Sequence, residues 1–218
     1  MTEGVRQSLP MARLRKVSNI RRTAATDGSQ RLIVECPAYF TIEPASLFGR
    51  VAPLEIEIGA GRGEFLIAHA ATMPERNFLA VELSAPLVRL LTARAGLAEL
   101  QNLRVARTDA RPLVNLFLPC ECVSAYHVYF PDPWPKRRHA KHRLFTPWFV
   151  ANLRRTMVVG ASLYIATDVS EYAESIFSMV QAQGLQPTSQ PVPGVATTGF
   201  ARRFIIEGRK VYTQAFCE

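Results

Sequence analysis

No run of about 18 apolar residues occurs anywhere in the chain, so nothing in it reads as a transmembrane helix. The amino terminus, MTEGVRQSLPMARLRKVSNIRR, lacks the apolar core of a secretory signal. Its basic, acid-poor character is also that of a transit peptide, and the sequence leaves that option open. Cysteine is scarce: Cys36, Cys120, Cys122 and Cys217 show neither zinc-ligand pairing nor a dense disulfide pattern, and read as thiols of a reducing compartment. The expectation is a cytoplasmic protein without a membrane partner. His69, His127, His139 and His142 lack metal-ligand spacing, so no metal is expected, and His69 reads as a core-face residue. Internal repeats and low-complexity segments are absent too.

What is present is positive charge, unevenly placed. The 218 residues carry a net charge of +8. Residues 1–31 contribute +5, residues 136–143 another +5 with no acid among them, and residues 202–210 +3, which leaves −5 for the remainder. Cations gathered into three places on an otherwise acidic body suggest a polyanion footprint.

Residues 1–30 have no apolar period and read as a basic, flexible arm. Residues 31–218 read as a single domain, in keeping with a chain that is 48% hydrophobic. From Val51 onwards, strand-like runs alternate with helical patterns. LEIEIG, NFLAVEL, NLRVARTDA, CVSAYHVYF and ASLYIATDV read as five strands. GEFLIAHAATM and APLVRLLTARAGLAEL read as helices, the first placing Phe65, Leu66, His69 and Met73 on one face. Such alternation implies βα units and a mainly parallel sheet. In RRFIIEGRKVYTQAF, Glu207-Gly208 separates two β-prone runs, which predicts a C-terminal antiparallel hairpin.

The loop EIGAGRGEF follows the first of these strands and opens a helix, with glycines at 59, 61 and 63. A dinucleotide fingerprint would want its third glycine at 64, where Glu64 stands. The spacing Gly59, Gly61, Gly63, with Glu57 two residues upstream, instead resembles the class I S-adenosylmethionine-dependent methyltransferase motif. That cofactor carries an amino group, a carboxylate and a sulfonium cation, which an anionic Glu57 can face. Glu82 ends the next strand, where a carboxylate accepts bonds from ribose hydroxyls, and Asp109 follows the third, where such folds meet adenine. Open α/β sheets bind ligands at these carboxyl ends. Nicotinamide enzymes share the Glu82 feature, so the fourth strand decides.

After that strand comes FPDPWPKRRHAKHR, Phe130 to Arg143. Pro131 and Pro133 restrict the backbone around Asp132, and a cationic run follows at once. With EIGAGRGEF, AVEL, NLRVARTDA and ATDVSEYAE, the segment resembles the tRNA (guanine-N7-)-methyltransferases over roughly residues 54–206. The resemblance implies a Rossmann-like fold, S-adenosylmethionine as cofactor and tRNA as partner. By position, Glu57, Gly59, Gly61, Glu82, Asp109 and Asp132 match the family's cofactor site, with Asp132 its candidate catalytic residue. Lys136, Asp168 and Thr198 match substrate contacts. Arg138, His139, Lys141, His142 and Arg143 match the RNA-contacting run. Three departures stand out. Ala201 replaces the acid of the family's Thr-x-Phe-Glu, Ala140 replaces an asparagine, and the family's Gly-rich, aromatic ending is poorly matched. They concern base recognition and leave open a methyltransferase with another substrate, or an RNA-binding homologue without catalysis. Oligomeric state is open.

Overall fold

The segment Leu54–Ile58 is buried at all five positions, as expected of a parallel strand covered on both faces. It is β2 of a computed structural model that describes residues 33–34, 41–134 and 136–218, with the backbone alone at 33, 34, 137 and 140. The expected arm, residues 1–30, lies outside the described residues. The other strands are β1 (Ile33–Val34), β3 (Asn77–Glu82), β4 (Leu103–Arg107), β5 (Val123–Tyr129), β6 (Met157–Thr167), β7 (Gln186–Thr188) and β8 (Tyr212–Cys217). Together they form an eight-stranded sheet in the order β1-β4-β3-β2-β5-β6-β8-β7. Every pairing up to β6 is parallel, while β8 runs antiparallel to both β6 and β7.

The helices are α1 (Pro44–Phe48), α2 (Glu64–Thr72), α3 (Ala85–Leu97), α4 (Ala110–Pro112), α5 (Pro147–Thr156), α6 (Ser170–Ala182) and α7 (Gly199–Ile206). Local sequence sets several of their ends. Thr146 caps α5, its hydroxyl accepting from the Phe149 N–H at 3.1 Å, and Pro147 occupies the first turn, where a missing N–H costs nothing. Asp109 caps α4 in the same way through the Arg111 N–H.

β2 alternates two chemistries. Ile56 and Ile58 join one hydrophobic core with Phe149 and Leu163. Glu55 and Glu57 alternate with them, so they face the opposite side of the sheet. There Phe65, Phe78, Leu91 and Tyr129 make the second core. β2 and β5 adjoin at the centre, where the strand order reverses, and a crevice opens at their carboxyl ends.

The mainly parallel sheet with a C-terminal antiparallel pair is as expected, but the pair is β7 with β8. Residues 202–206, expected as its first arm, belong to α7, and Glu207-Gly208 ends that helix with Gly208 at φ 67°. Thr198 caps the helix and accepts from the Ala201 N–H at 3.1 Å. Phe200 and Phe204, one turn apart, both pack on the Phe130 ring, at 6.0 and 5.4 Å. The cap and this shared contact outweigh the β-propensity of Phe204-Ile205-Ile206. Among the described residues, no helix is long and apolar enough to cross a membrane.

Candidate active site

The chain turns from β2 into α2 through Gly59, Gly61 and Gly63, at φ 78°, 55° and 70°. A Cβ on Gly63 would lie 2.7 Å from Leu91 Cγ, so only glycine lets the turn seat against α3. Glu82, the last residue of β3, closes the turn from the side. Its carboxylate accepts from the Gly61 N–H at 2.9 Å and from the Ser84 N–H at 2.8 Å. Both oxygens are thereby oriented, and each keeps lone-pair capacity for a hydroxyl.

Glu57 lies beneath the turn, buried, with Oε2 lacking any hydrogen-bond partner. Burial first, and the neighbouring Glu82 charge second, push its pKa well above the ordinary 4.5, against a hydrogen bond from the Leu66 backbone. An unpartnered buried carboxyl oxygen beside a held carboxylate suits a cationic, hydroxyl-bearing ligand, and S-adenosylmethionine fits that description. Asp109 is partly committed elsewhere. Arg111 pairs with it at 2.6 Å, and although burial raises its pKa, the Arg111 hydrogen bonds hold it below the usual value.

Asp132 is exposed, three residues beyond the end of β5. The turn carrying it is held between two non-glycine residues in left-handed conformations, Phe130 at φ 53° and Trp134 at φ 41°. Such residues persist only where the surroundings over-determine them, and they gather at functional sites. Here the surroundings are explicit. The Phe130 N–H donates to Ala166 O at 2.7 Å, and its ring is held by α7. Arg143 donates to Pro133 O at 2.9 Å and to Trp134 O at 3.3 Å, with its guanidinium 5.3 Å from the centre of the Tyr172 ring.

The cationic run is a 3₁₀ turn, Arg137–His142. Residues three apart eclipse in such a turn. Accordingly His139 and His142 both face Trp134, at 5.6 and 5.3 Å between ring centres, while Arg138 and Lys141 are exposed. Lys136 is exposed just before the turn. Arg143, expected with the RNA-contacting residues, instead spends two donors on the Asp132 turn. Asp168, directly after β6, is ion-paired with Arg209, whose guanidinium also stacks on Phe204 at 4.1 Å. Thr198 is tied up in capping α7. The structure thus gathers Glu57, Glu82, Asp109, Asp132 and Asp168 at the carboxyl edge of the sheet and puts α7 beside them.

One constellation escaped the sequence reading. Glu55, His69 and His127 bring their donor atoms within 4.8 Å of one another. Among the described residues this is the one such group. Arg76 already occupies the other oxygen of Glu55, at 2.8 Å, so a cation stands there. Burial alone would raise the Glu55 carboxyl, but hydrogen bonds from His127 and His69 outweigh it and hold the group well below the usual carboxylate range. The signal was the alternation itself: Glu55 and Glu57 share a face of β2, and His127 and Tyr129 share that face of the adjacent β5.

With this geometry in place, comparison with known proteins is direct. The family model described as "Putative methyltransferase" matches residues 51–213. A tRNA (guanine-N(7)-)-methyltransferase of Halorhodospira halophila is 37% identical over 207 residues, 88% of this chain and 90% of that protein. One from Syntrophotalea carbinolica is 34% identical over 174 residues, 77% of this chain and 75% of that protein. The chain belongs to the tRNA (guanine-N7-)-methyltransferase family. Among solved structures, the 16S rRNA methyltransferase KamB superposes with a TM-score of 0.54 at 17% identity, covering 77% of this chain and 87% of that one. An antibiotic-related methyltransferase gives 0.56 at 13%, covering 81% and 94%. At such identities these two speak to the fold, a class I methyltransferase fold. Membership in the family makes the protein a methyltransferase that uses S-adenosylmethionine.

Proposed function

We propose that the protein transfers a methyl group from S-adenosylmethionine to N7 of a guanosine in tRNA. The observation that supports this reading is the Phe130–Trp134 turn, held rigidly after β5, the strand that adjoins β2 where the strand order reverses, in a chain of this family. When bound, the cofactor supplies an electrophilic methyl on a cationic sulfur.

The residues divide the work by their chemistry. Glu82, its oxygens aligned by the Gly61 and Ser84 N–H groups, would accept from the ribose hydroxyls, Gly59 and Gly61 would let the backbone approach, and Asp109 would hold the adenine. Glu57 would balance the cofactor's cationic end. Guanine N7 has a free lone pair, so no base need deprotonate it before in-line attack. Methylation at N7 leaves the base cationic. Asp132 stabilises that developing charge from a turn already locked in place, which costs no reorganisation during reaction. Lys136 and Asp168 would contact the entering base, while the Thr198 hydroxyl, which donates to Val195 O and accepts from the Ala201 N–H, contributes by capping α7. Asp168 is freed for that role only if Arg209 gives way. Arg138, His139, Lys141 and His142 hold the RNA backbone, contacts that position and do not specify.

The test is methylation of tRNA from a strain lacking 7-methylguanosine, read by strand cleavage specific for that base. Wild type should methylate one site, and Asp132→Asn should lose about 10²- to 10³-fold in turnover while binding tRNA and cofactor normally. Cofactor binding without turnover on any tRNA would sink the assignment and favour an RNA-binding homologue.

A further inference from the structure

The buried polar cluster beneath the cofactor turn has an outlet. His127 places Nε2 2.9 Å from Glu55 Oε2 and Nδ1 2.9 Å from the Tyr129 hydroxyl, and that hydroxyl donates to Pro193 O at 2.8 Å. Protons can be assigned by counting. A proline carbonyl only accepts, so the single Tyr129 proton is spent on it, and Tyr129 must accept from His127 Nδ1–H. At the other end, Nε2 faces a carboxylate oxygen that also receives His69 at 3.2 Å. Burial pulls His127 toward the neutral ring. The geometry decides otherwise: all these contacts are attractive only when one further proton sits between Nε2 and Oε2. The chain Arg76–Glu55–His127–Tyr129–Pro193 is then satisfied at each link, as a buried polar network must be.

Pro193 begins a segment that lies across the site. The next residue, Gly194, sits so close to α2 that a Cβ would lie 2.2 Å from Phe65 Cδ2. Val192 and Val195 pack into the second core, Thr198 caps α7, and Arg202 pairs with Glu64 at 3.2 Å. Phe200 and Phe204 reach the Phe130 ring of the Asp132 turn. Residues 192–204 therefore bridge the glycine turn's helix and the strained turn, and the Tyr129–Pro193 bond anchors the bridge to the sheet.

We propose that Tyr129 is a positioning residue: oriented by His127 and Glu55, it holds residues 192–204 over the site and so sets where the methyl-accepting base is received. The inference rests on the tRNA reading above for its kinetic consequence, though not for its structural one. In Tyr129→Phe, which keeps the ring, KM for tRNA should rise about tenfold, the effect of removing one buried hydrogen bond. kcat and cofactor affinity should stay within about twofold, since neither the Asp132 turn nor Glu82 is touched. Amide exchange across residues 194–206 should speed up in the free protein. Glu55→Gln should leave KM near wild type, because the amide can accept from Arg76 and donate to a neutral His127, whereas Glu55→Ala should behave like Tyr129→Phe. A Tyr129→Phe protein with unchanged exchange in 194–206, merely lower in Tm, would reduce the residue to core packing and overturn the proposal. So would stoichiometric binding of added Zn²⁺ alone that is abolished in His127→Gln, since the cluster would then be a metal site. If wild type is inert on tRNA, the function fails, and the exchange measurement still decides whether Tyr129 holds the segment.

Discussion

Arg143 donates through Nε to the carbonyl oxygen of Pro133 at 2.9 Å, and through Nη2 reaches the next carbonyl, of Trp134, at 3.3 Å. Its fork spans two consecutive peptide groups of the turn that presents Asp132, with Tyr172 beneath the guanidinium. Lysine has no such fork. Arg143→Ala and Arg143→Lys should therefore both lower kcat by roughly ten- to hundredfold, because displacing a reacting group by about 1 Å can cost that much. tRNA affinity should change little. A variant with weakened tRNA binding and normal kcat would return Arg143 to the RNA-contacting residues.

Arg138 and Lys141 are exposed, and Arg138 donates to the His139 ring at 3.2 Å. The double variant Arg138→Ala, Lys141→Ala should weaken tRNA binding and flatten its salt dependence by about 0.7 to 0.9 in logarithmic slope for each phosphate no longer neutralised. Cofactor affinity and kcat at saturation should hold. Equal slopes for variant and wild type, in a titration from low to moderate salt, would leave the run a solvated surface.

The contrast between Arg143 and its neighbours bears on how far sequence reasoning reached. The five βα strands, the crevice acids and the Asp132 turn were legible because each rests on local pattern: an apolar run, a glycine spacing, a proline pair. The charge run was legible as charge, but a one-dimensional reading cannot divide it between partners. Only the fold shows that the 3₁₀ turn sends the two histidines to Trp134 and that Arg143, just after it, bonds back to the Asp132 turn. α7 was misread because Phe-Ile-Ile is β-prone by itself, and the helical packing partner of its Phe204, Phe130, lies 74 residues away. The Glu55–His127 network was hidden for the same reason. It joins β2, α2 and β5, and His127 has no meaning until its strand is paired.

Glu82 allows a clean test of the cofactor site. Glu82→Gln keeps the shape but loses the charge, and its amide nitrogen cannot accept from either backbone N–H. Affinity for S-adenosylhomocysteine should drop by about 1.5 to 3 kcal/mol, the cost of hydrogen bonds to a charged group, as measured by calorimetry. NAD binding by wild type in place of the methyl donor would overturn the assignment of the glycine turn.

Glu57 predicts a pH effect of definite sign. Its folded pKa lies well above the ordinary 4.5, so the folded protein holds a proton that the unfolded chain releases first. A group shifted this way favours the folded state below 4.5, and that advantage declines as pH rises through the folded value. Glu57→Gln removes the decline. Without cofactor, the Tm of the variant should gain on wild type as pH rises above about 5. A cationic ligand favours the ionised carboxylate, so wild type should also release protons on binding S-adenosylmethionine. Calorimetry in two buffers of different ionisation enthalpy measures that release, and identical apparent enthalpies would refute it.

The family resemblance sets Ala201 at the place of the acid in Thr-x-Phe-Glu, and the structure makes its replacement informative. It is the third residue of α7 and is 1% exposed, its N–H bound by Thr198 Oγ1 at 3.1 Å. A glutamate there would normally complete a capping box by reaching back to the Thr198 N–H. That donor is already given to Val195 O at 3.1 Å, so the new carboxylate would find no partner at the cap. In the free protein it is a buried, unpaired acid, and Ala201→Glu should cost about 1 to 3 kcal/mol. That corresponds to a fall in Tm of roughly 2 to 12 °C for a chain of this size. The Watson–Crick edge of guanine offers two adjacent N–H donors, which would satisfy the same carboxylate once the base is seated. The expected signature is therefore paired: a lower Tm for the free enzyme and a lower KM for tRNA, with kcat unchanged. A lower Tm with a higher KM would mean that residue 201 does not face the base, and that α7 in this chain receives its substrate without an acid at that position.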